Sequence, residues 1–249
     1  MDQIDYAIVK FVNGFAWHSS TVDRIIIEVL QMNTFKALPI VCVMIWLWFS
    51  EDPAATRRKA IFNGFLGGLL ALLLTRGIQN FSPYKPRPSL TESLNFVMPA
   101  GAYPNYGSTF PSDTAGLAFA LVLGIWLASR RWGVAALFWA IVVVSFPRLY
   151  GGFHYPSDLL AGALIGLAST YVFVRFRQIS DPPYQAVAKL STSNKPWFFV
   201  LAFIVAYQST TYYLDIRKVG EQVLFKLGFK QEKLKQLQKR EAEIRKSRP

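Results

Sequence analysis

Six apolar stretches follow one another along the chain, near residues 35 to 50, 61 to 79, 114 to 129, 132 to 149, 157 to 175 and 196 to 214, joined by short connections. A helix needs about 20 mostly apolar residues to cross a hydrocarbon core of roughly 30 Å, and only helices or closed barrels satisfy their backbone there. The pattern predicts an all-α fold, a polytopic membrane helix bundle of about six transmembrane helices. With 52% hydrophobic and only 17% charged residues, the composition sets the chain apart from ordinary soluble domains.

Residues 3 to 31 follow a different rhythm. Ile4, Ile8, Phe11, Phe15 and then Val22, Ile25, Ile26, Val29 recur at helical spacing, with Asp5, Lys10, Asp23 and Glu28 between them. This predicts two amphipathic interfacial helices. His18, in the polar break between them, is a candidate for the site. The expected organisation is interfacial helices over 1–34, a transmembrane helical domain over 35–215 and a basic amphipathic tail over 216–249. The start, Met1-Asp2-Gln3-Ile4-Asp5, has no basic region ahead of an apolar one, so insertion is expected to rely on the internal apolar stretches. Cys42, the single cysteine, cannot form an internal disulfide.

The formal charge is +12, but residues 217 to 249 hold eleven Lys/Arg against four Glu. So local an excess, with no groove-reading motif, argues against a nucleic-acid partner. The tail suits contact with anionic lipid headgroups or a protein partner, or simple solubilisation. Elsewhere the basic residues sit in short connections: Arg57, Arg58 and Lys59; Arg130 and Arg131; Arg175, Arg177, Lys189 and Lys195. The positive-inside rule places these loops in the cytoplasm and segments 80 to 113 and 148 to 157 together on the other side. Six spans would then put both termini outside, at odds with a basic tail; either the tail is an exception or the count is off by one.

Polar residues concentrate in those two outward segments. The first holds Lys85-Pro86-Arg87-Pro88 and Pro111-Ser112-Asp113-Thr114; the second runs from Arg148 through Gly151-Gly152 to His154 and Asp158. A carboxylate four residues beyond His154 can hold one imidazole nitrogen and leave the other to attack. Arg87 and Arg148 carry permanent, forked charge suited to phosphate oxygens. Ser112, ahead of an apolar helix, adds a hydroxyl beside first-turn amides that form a natural anion site. Ionised groups at a membrane face are costly, which makes a functional reading of the cluster the default.

The order and spacing resemble the three signature motifs of the type 2 phosphatidic acid phosphatase superfamily, Lys-x6-Arg-Pro, Pro-Ser-Gly-His and Ser-Arg-x5-His-x3-Asp. The resemblance implies His154 as nucleophile oriented by Asp158, phosphate held by Arg87, Arg148 and Ser112, and no metal or other cofactor; the Thr114 hydroxyl is expected to add a hydrogen bond to the phosphate. Three departures stand out. Asn80 occupies the place of the family's Lys, Asp113 and Thr114 replace Gly and His, and Pro147 precedes Arg148. Arg76, one helical turn before Asn80, and Lys85 are candidates to supply the lost charge. A Thr hydroxyl does not readily protonate a leaving alkoxide, whereas phosphate leaving from a diphosphate needs no proton. The expected function is therefore hydrolysis of the terminal phosphate of a membrane lipid phosphate, above all an isoprenoid (undecaprenyl) pyrophosphate, at the extracytoplasmic side of the cell membrane. Alternatives are a lipid phosphotransferase and a catalytically silent lipid-phosphate binder or transporter.

Overall fold

The computed structural model describes residues 2–51, 55–103, 107–211 and 213. Among them the regular structure is helical throughout: α1 (Asp2–Asn13), α2 (Ser20–Gln31), α3 (Asn33–Phe49), α4 (Thr56–Phe81), α5 (Asp113–Ala128), α6 (Arg130–Trp139), α7 (Phe146–Tyr150), α8 (Pro156–Arg175), α9 (Arg177–Ser193) and α10 (Lys195–Thr210). A π-helical turn, Ala140–Ser145, carries α6 into α7, and two short 3-10 turns, Pro88–Leu90 and Glu92–Leu94, punctuate the long connection between α4 and α5. The expected tail over 216–249 lies outside the described residues.

α4, α5 and α8 pack most extensively on one another, and small residues make that possible. A Cβ on Gly64 would lie 2.8 Å from the Cα of Gly124, and one on Gly67 would lie 2.6 Å from the Cα of Thr170. Gly162 and Gly166 on α8 press against the carbonyls of Ser112 and Gly116 on α5. Backbones this close gain dispersion contacts where lipid offers no hydrophobic drive. The glycines of the second and fifth apolar stretches thus serve helix packing, as their spacing suggests.

Every one of the six apolar stretches contains a helix, but the lengths separate them. Three are long and apolar enough to cross a membrane alone: Thr56–Phe81, Arg130–Tyr150 and Pro156–Arg175. A fourth span arises if α2 and α3, bent by 64° at Met32, count as one broken span. α5 is apolar but has 16 residues, about 24 Å at 1.5 Å per residue. Its first turn is committed to the polar site instead of the hydrocarbon.

Two local expectations are corrected. The stretch 178–196, which its Pro182-Pro183 pair marks as linker-like, is largely the helix α9, with both prolines inside it. Two lost N–H donors are offset by packing and charge: Tyr184 rests on Phe62 and Trp48, and Asp181 pairs with Lys59 at 2.5 Å. The acidic residues of α1 and α2 are also not a solvent-facing stripe, since Asp5 and Asp23 are buried while Ile4, Phe11, Phe15 and Ile25 are exposed. Asp23 accepts from the Tyr150 hydroxyl and from the amides of Trp17 and Ala100, which ties α2 to the end of α7.

Candidate active site

The chain reverses twice at the same end of the bundle, where α4 gives way to α5 and α7 to α8. That places Arg76 and Asn80 on the last turns of α4, Asp113 and Thr114 on the first turn of α5, Arg148 on α7 and Asp158 on the first turn of α8. Ser112 caps α5, its Oγ accepting from the amide of Ala115, while its own amide donates to the carbonyl of Asp158 at 3.0 Å. The second and third motifs are thereby stitched backbone to backbone.

The turn carrying His154 is shaped by its own chain. The amides of Phe153 and His154 both donate to the carbonyl of Arg148, at 2.8 and 3.2 Å. Gly152 sits at φ +69, where a side chain would be strained, and a Cβ there would lie 2.6 Å from the Phe96 ring. The glycine is required by this turn and by Phe96, rather than by an approach to phosphate.

His154 is buried, and its two nitrogens have different neighbours. Nδ1 lies 2.8 Å from the carbonyl oxygen of Thr109, which can only accept, so Nδ1 carries the proton. Nε2 then holds the lone pair and faces Arg148 Nη1 at 3.5 Å. Asp158 does not bond the ring directly: its Oδ2 is 3.9 Å from Nδ1. The Thr109 hydroxyl stands between, 2.5 Å from Oδ2 and 3.2 Å from Nδ1. Asp158 also accepts from the Tyr155 amide at 2.8 Å and from Lys85 Nζ at 2.9 Å.

Burial, then the charges of Arg87 and Arg148, hold the His154 imidazole well below its ordinary value of 6.5, so the ring is neutral at pH 7. Arg87 is also buried. Its Nε donates to the carbonyl of Gly107 at 3.0 Å and its Nη1 to that of Phe153 at 2.6 Å, with the guanidinium over the Phe153 ring. Burial and the neighbouring Arg148 charge push Arg87 down to about 10, which leaves it protonated at neutral pH. Two guanidiniums kept charged and mutually repulsive beside a neutral imidazole form a place that an anion stabilises.

The remaining candidates fall into pairs. Arg76 Nη2 lies 2.9 Å from Asp113 Oδ2, so the extra cation on α4 and the extra carboxylate of the second motif meet each other. Thr114 is buried, its amide and hydroxyl both directed at Asp113 Oδ1. Asn80 follows Arg76 by one turn, and its neighbour Gln79 donates to the carbonyl of Pro111 at 2.6 Å. Lys85 links Asp158, the Tyr155 ring and, at 4.0 Å, Asp5. His18 is exposed beside Phe15 and stays outside this cluster.

Sequence reading missed two participants. Thr109 contributes a backbone carbonyl and a bridging hydroxyl from the loop-like run Gly107-Ser108-Thr109-Phe110; only its place two residues before Pro111 signals it. Asp5 reaches from α1 to accept from the amide and hydroxyl of Ser157, at 2.9 and 2.5 Å, so the N-terminal helix buttresses the start of α8. Packing agrees, with Val9 and Tyr6 of α1 against Tyr155, Leu94, Phe96 and Leu149.

An all-α chain with several apolar helices of membrane-spanning length, bearing a buried histidine between guanidiniums at one helix end, defines a class of membrane proteins that handle phosphoanions. The PAP2 superfamily matches residues 61–181, and the chain belongs to that superfamily of lipid phosphatases. It is 24% identical over 191 residues to the undecaprenyl-diphosphatase BcrC of Bacillus subtilis (strain 168), covering 75% of this chain and 91% of that protein. It is 26% identical over 139 residues to the putative undecaprenyl-diphosphatase YbjG of Escherichia coli (strain K12), covering 55% and 65%. A shorter match, 42% identical over 69 residues, joins it to a lipid A 4'-phosphatase of Bacteroides thetaiotaomicron, covering 27% and 30%. No solved structure matches.

Proposed function

We propose that the chain hydrolyses the terminal phosphate of an isoprenoid diphosphate lipid, with undecaprenyl diphosphate the leading substrate, through a phosphohistidine on His154. One observation carries this reading: the Thr109 carbonyl holds Nδ1–H and leaves the Nε2 lone pair beside Arg148. Nε2 attacks the terminal phosphorus, and the bond from that phosphorus to the bridging oxygen breaks. The electron pair leaves with the lipid monophosphate. Arg87 and Arg148 stabilise charge on the transferring group, and the Asp158 carboxylate, through the Thr109 hydroxyl, stabilises the imidazolium that forms. Water then cleaves the N–P bond, which releases orthophosphate, passes a proton to solvent and restores the imidazole.

Thr114 favours a diphosphate over a monophosphate, because a leaving phosphate is stable as an anion without a proton donor. A multi-pass bundle in the cell membrane, with the site facing outward, fits the same reading. Arg57, Arg58 and Lys59 open α4, Arg130 and Arg131 open α6, and Arg175 closes α8, each at the end of its helix away from the site.

Purified protein in detergent, offered prenyl diphosphates and diacylglycerol or prenyl monophosphates, tests the proposal through free phosphate and product mass. Faster release from the diphosphate, with no phosphorylated acceptor, is expected. Preference for the monophosphate removes the diphosphate reading, and a phosphorylated acceptor makes the chain a transferase.

A further inference from the structure

Asp5 is buried although it stands near the start of α1, beside the exposed Ile4. Its Oδ1 accepts from the Ser157 amide at 2.9 Å and its Oδ2 from the Ser157 hydroxyl at 2.5 Å. Both bonds fall in the first turn of α8, whose free amides favour negative charge. An Asn would keep them, with the Ser157 hydroxyl accepting from its amide nitrogen, so hydrogen bonding alone does not call for a carboxylate. A buried carboxylate is costly unless a cation meets it. Here the cation is Lys85, whose Nζ lies 4.0 Å from Asp5 Oδ2, 3.5 Å from the Ser157 hydroxyl and 2.9 Å from Asp158 Oδ1. One ammonium thus stands between two carboxylates at the head of α8.

Charge balance gives this row a chemical consequence. Lys85 and Asp158 by themselves make a neutral pair, which offers an imidazolium on His154 no net counter-charge. Arg87 and Arg148 act against a cation on that ring, and Asp113 is engaged by Arg76 at 2.9 Å. With Asp5 included, the row Asp5, Lys85, Asp158 carries one net negative charge. It reaches the ring through the Thr109 hydroxyl, 2.5 Å from Asp158 Oδ2 and 3.2 Å from His154 Nδ1. α1 lies outside residues 61–181, the part the superfamily matches, so no shared motif reports this carboxylate.

We propose that Asp5 is a positioning residue of the active site: by sharing Lys85 it leaves the charge of Asp158 free to stabilise the imidazolium that forms when His154 takes the phosphoryl group. The inference rests on the function proposed above and deepens it. Attack by Nε2 turns a neutral ring into a cation as the N–P bond forms and the bridging P–O bond breaks, and hydrolysis of the N–P bond returns the ring to neutrality. Asp5 favours the first step and Lys85 opposes it, so the two set the standing level of phosphohistidine.

The test uses the full chain in detergent, with thermal unfolding as the check on folding, and compares wild type, Asp5→Asn, Lys85→Met and the double variant. Asp5→Asn is expected to lower kcat for a prenyl diphosphate by about 10-fold, the effect of one charge acting through a neighbour, with little change in KM. Removing Lys85 as well should return part of that loss, because Asp158 is again unneutralised. No loss in Asp5→Asn, or a double variant worse than both single ones, makes Asp5 a structural anchor and overturns the proposal. Lys85→Met alone keeps every bond from Asp5 to α8 and serves even where Asp5→Asn does not fold. Its phosphohistidine, trapped by alkaline quench at steady state, should exceed the wild-type level, and a level at or below wild type overturns the proposal. The ring supplies an arm without turnover. In ¹⁵N spectra the His154 titration should rise in Lys85→Met and fall back in the double variant; a double variant that titrates like Lys85→Met breaks the line from Asp5 to the ring and overturns the proposal. A wild type that hydrolyses no prenyl diphosphate, with the ring titrations as expected, overturns the proposed function instead and leaves Asp5 and Lys85 as the charges that act on the ring.

Discussion

The turn from Arg148 to Asp158 and the segment from Arg76 to Thr114 meet at one site but are held in opposite ways. The turn keeps the family spacing and closes on itself, with two amides on the Arg148 carbonyl and the Asp158 carboxylate on the Tyr155 amide. The segment departs from the family at Asn80, Asp113 and Thr114, and long-range pairs hold it: Arg76 with Asp113, Lys85 with Asp158, Gln79 with Pro111, Arg87 with Phe153. A local turn can conserve a nucleophile by geometry alone. Where the second motif carries Asp113, that carboxylate is met by Arg76, one turn before Asn80, at 2.9 Å.

The sharpest way to break this comparison is at the turn. His154→Ala should lower phosphate release by about 10⁴-fold or more, because a nucleophile and the groups acting on it fail as a unit. Phosphate-release kinetics in detergent check it, and retained activity places the chemistry elsewhere. Asp158→Asn should cost about 10³-fold in kcat with a smaller change in KM, since the carboxylate acts on the imidazolium and not on bound substrate.

Weaker effects belong to the linking groups. Thr109→Val removes the hydroxyl but keeps the carbonyl on Nδ1, so a loss of about 10-fold is expected, with Thr109→Ser close to wild type. Equal losses in the two variants would make Thr109 a packing residue only. Arg76→Gln and Asp113→Asn should each lower the unfolding midpoint, and the double variant should recover part of it, with a coupling of about 1 to 2 kcal/mol. Additive effects would separate the two residues and undo the paired exchange.

The smallest effect is in pH. The folded His154 value is depressed, so the unfolded chain takes up the proton first. Stability from this group is complete above about 6.5 and declines as pH falls from there toward the folded value. With only two histidines in the chain, ¹⁵N NMR resolves both rings. The His154 ring should stay neutral with hydrogen on Nδ1 below pH 6.5, and Arg148→Gln should move its titration upward. An imidazolium at pH 7 contradicts the assignment.

Much of this was legible in the sequence, because hydropathy marks α4, α6 and α8 and fixed spacing marks Arg87, Arg148, His154 and Asp158. The illegible parts have physical reasons. α9 hides behind Pro182 and Pro183, whose helix-breaking tendency is overridden by packing on Phe62 and Trp48. Asp5 and Asp23 read as the wet face of amphipathic helices, yet each has a partner more than 120 residues away, Ser157 of α8 for Asp5 and Tyr150 of α7 for Asp23. Thr109 acts through its carbonyl and a shared hydroxyl, which no side-chain pattern reports.

Trapping the covalent intermediate tests the central claim most directly. Rapid alkaline quench during turnover of a prenyl diphosphate, followed by peptide mass analysis, should find the phosphoryl group on the peptide containing His154 and nowhere else. Phosphate on another residue, or steady turnover with no phosphoprotein at any time point, contradicts an imidazole held by Thr109 and aimed past Arg148.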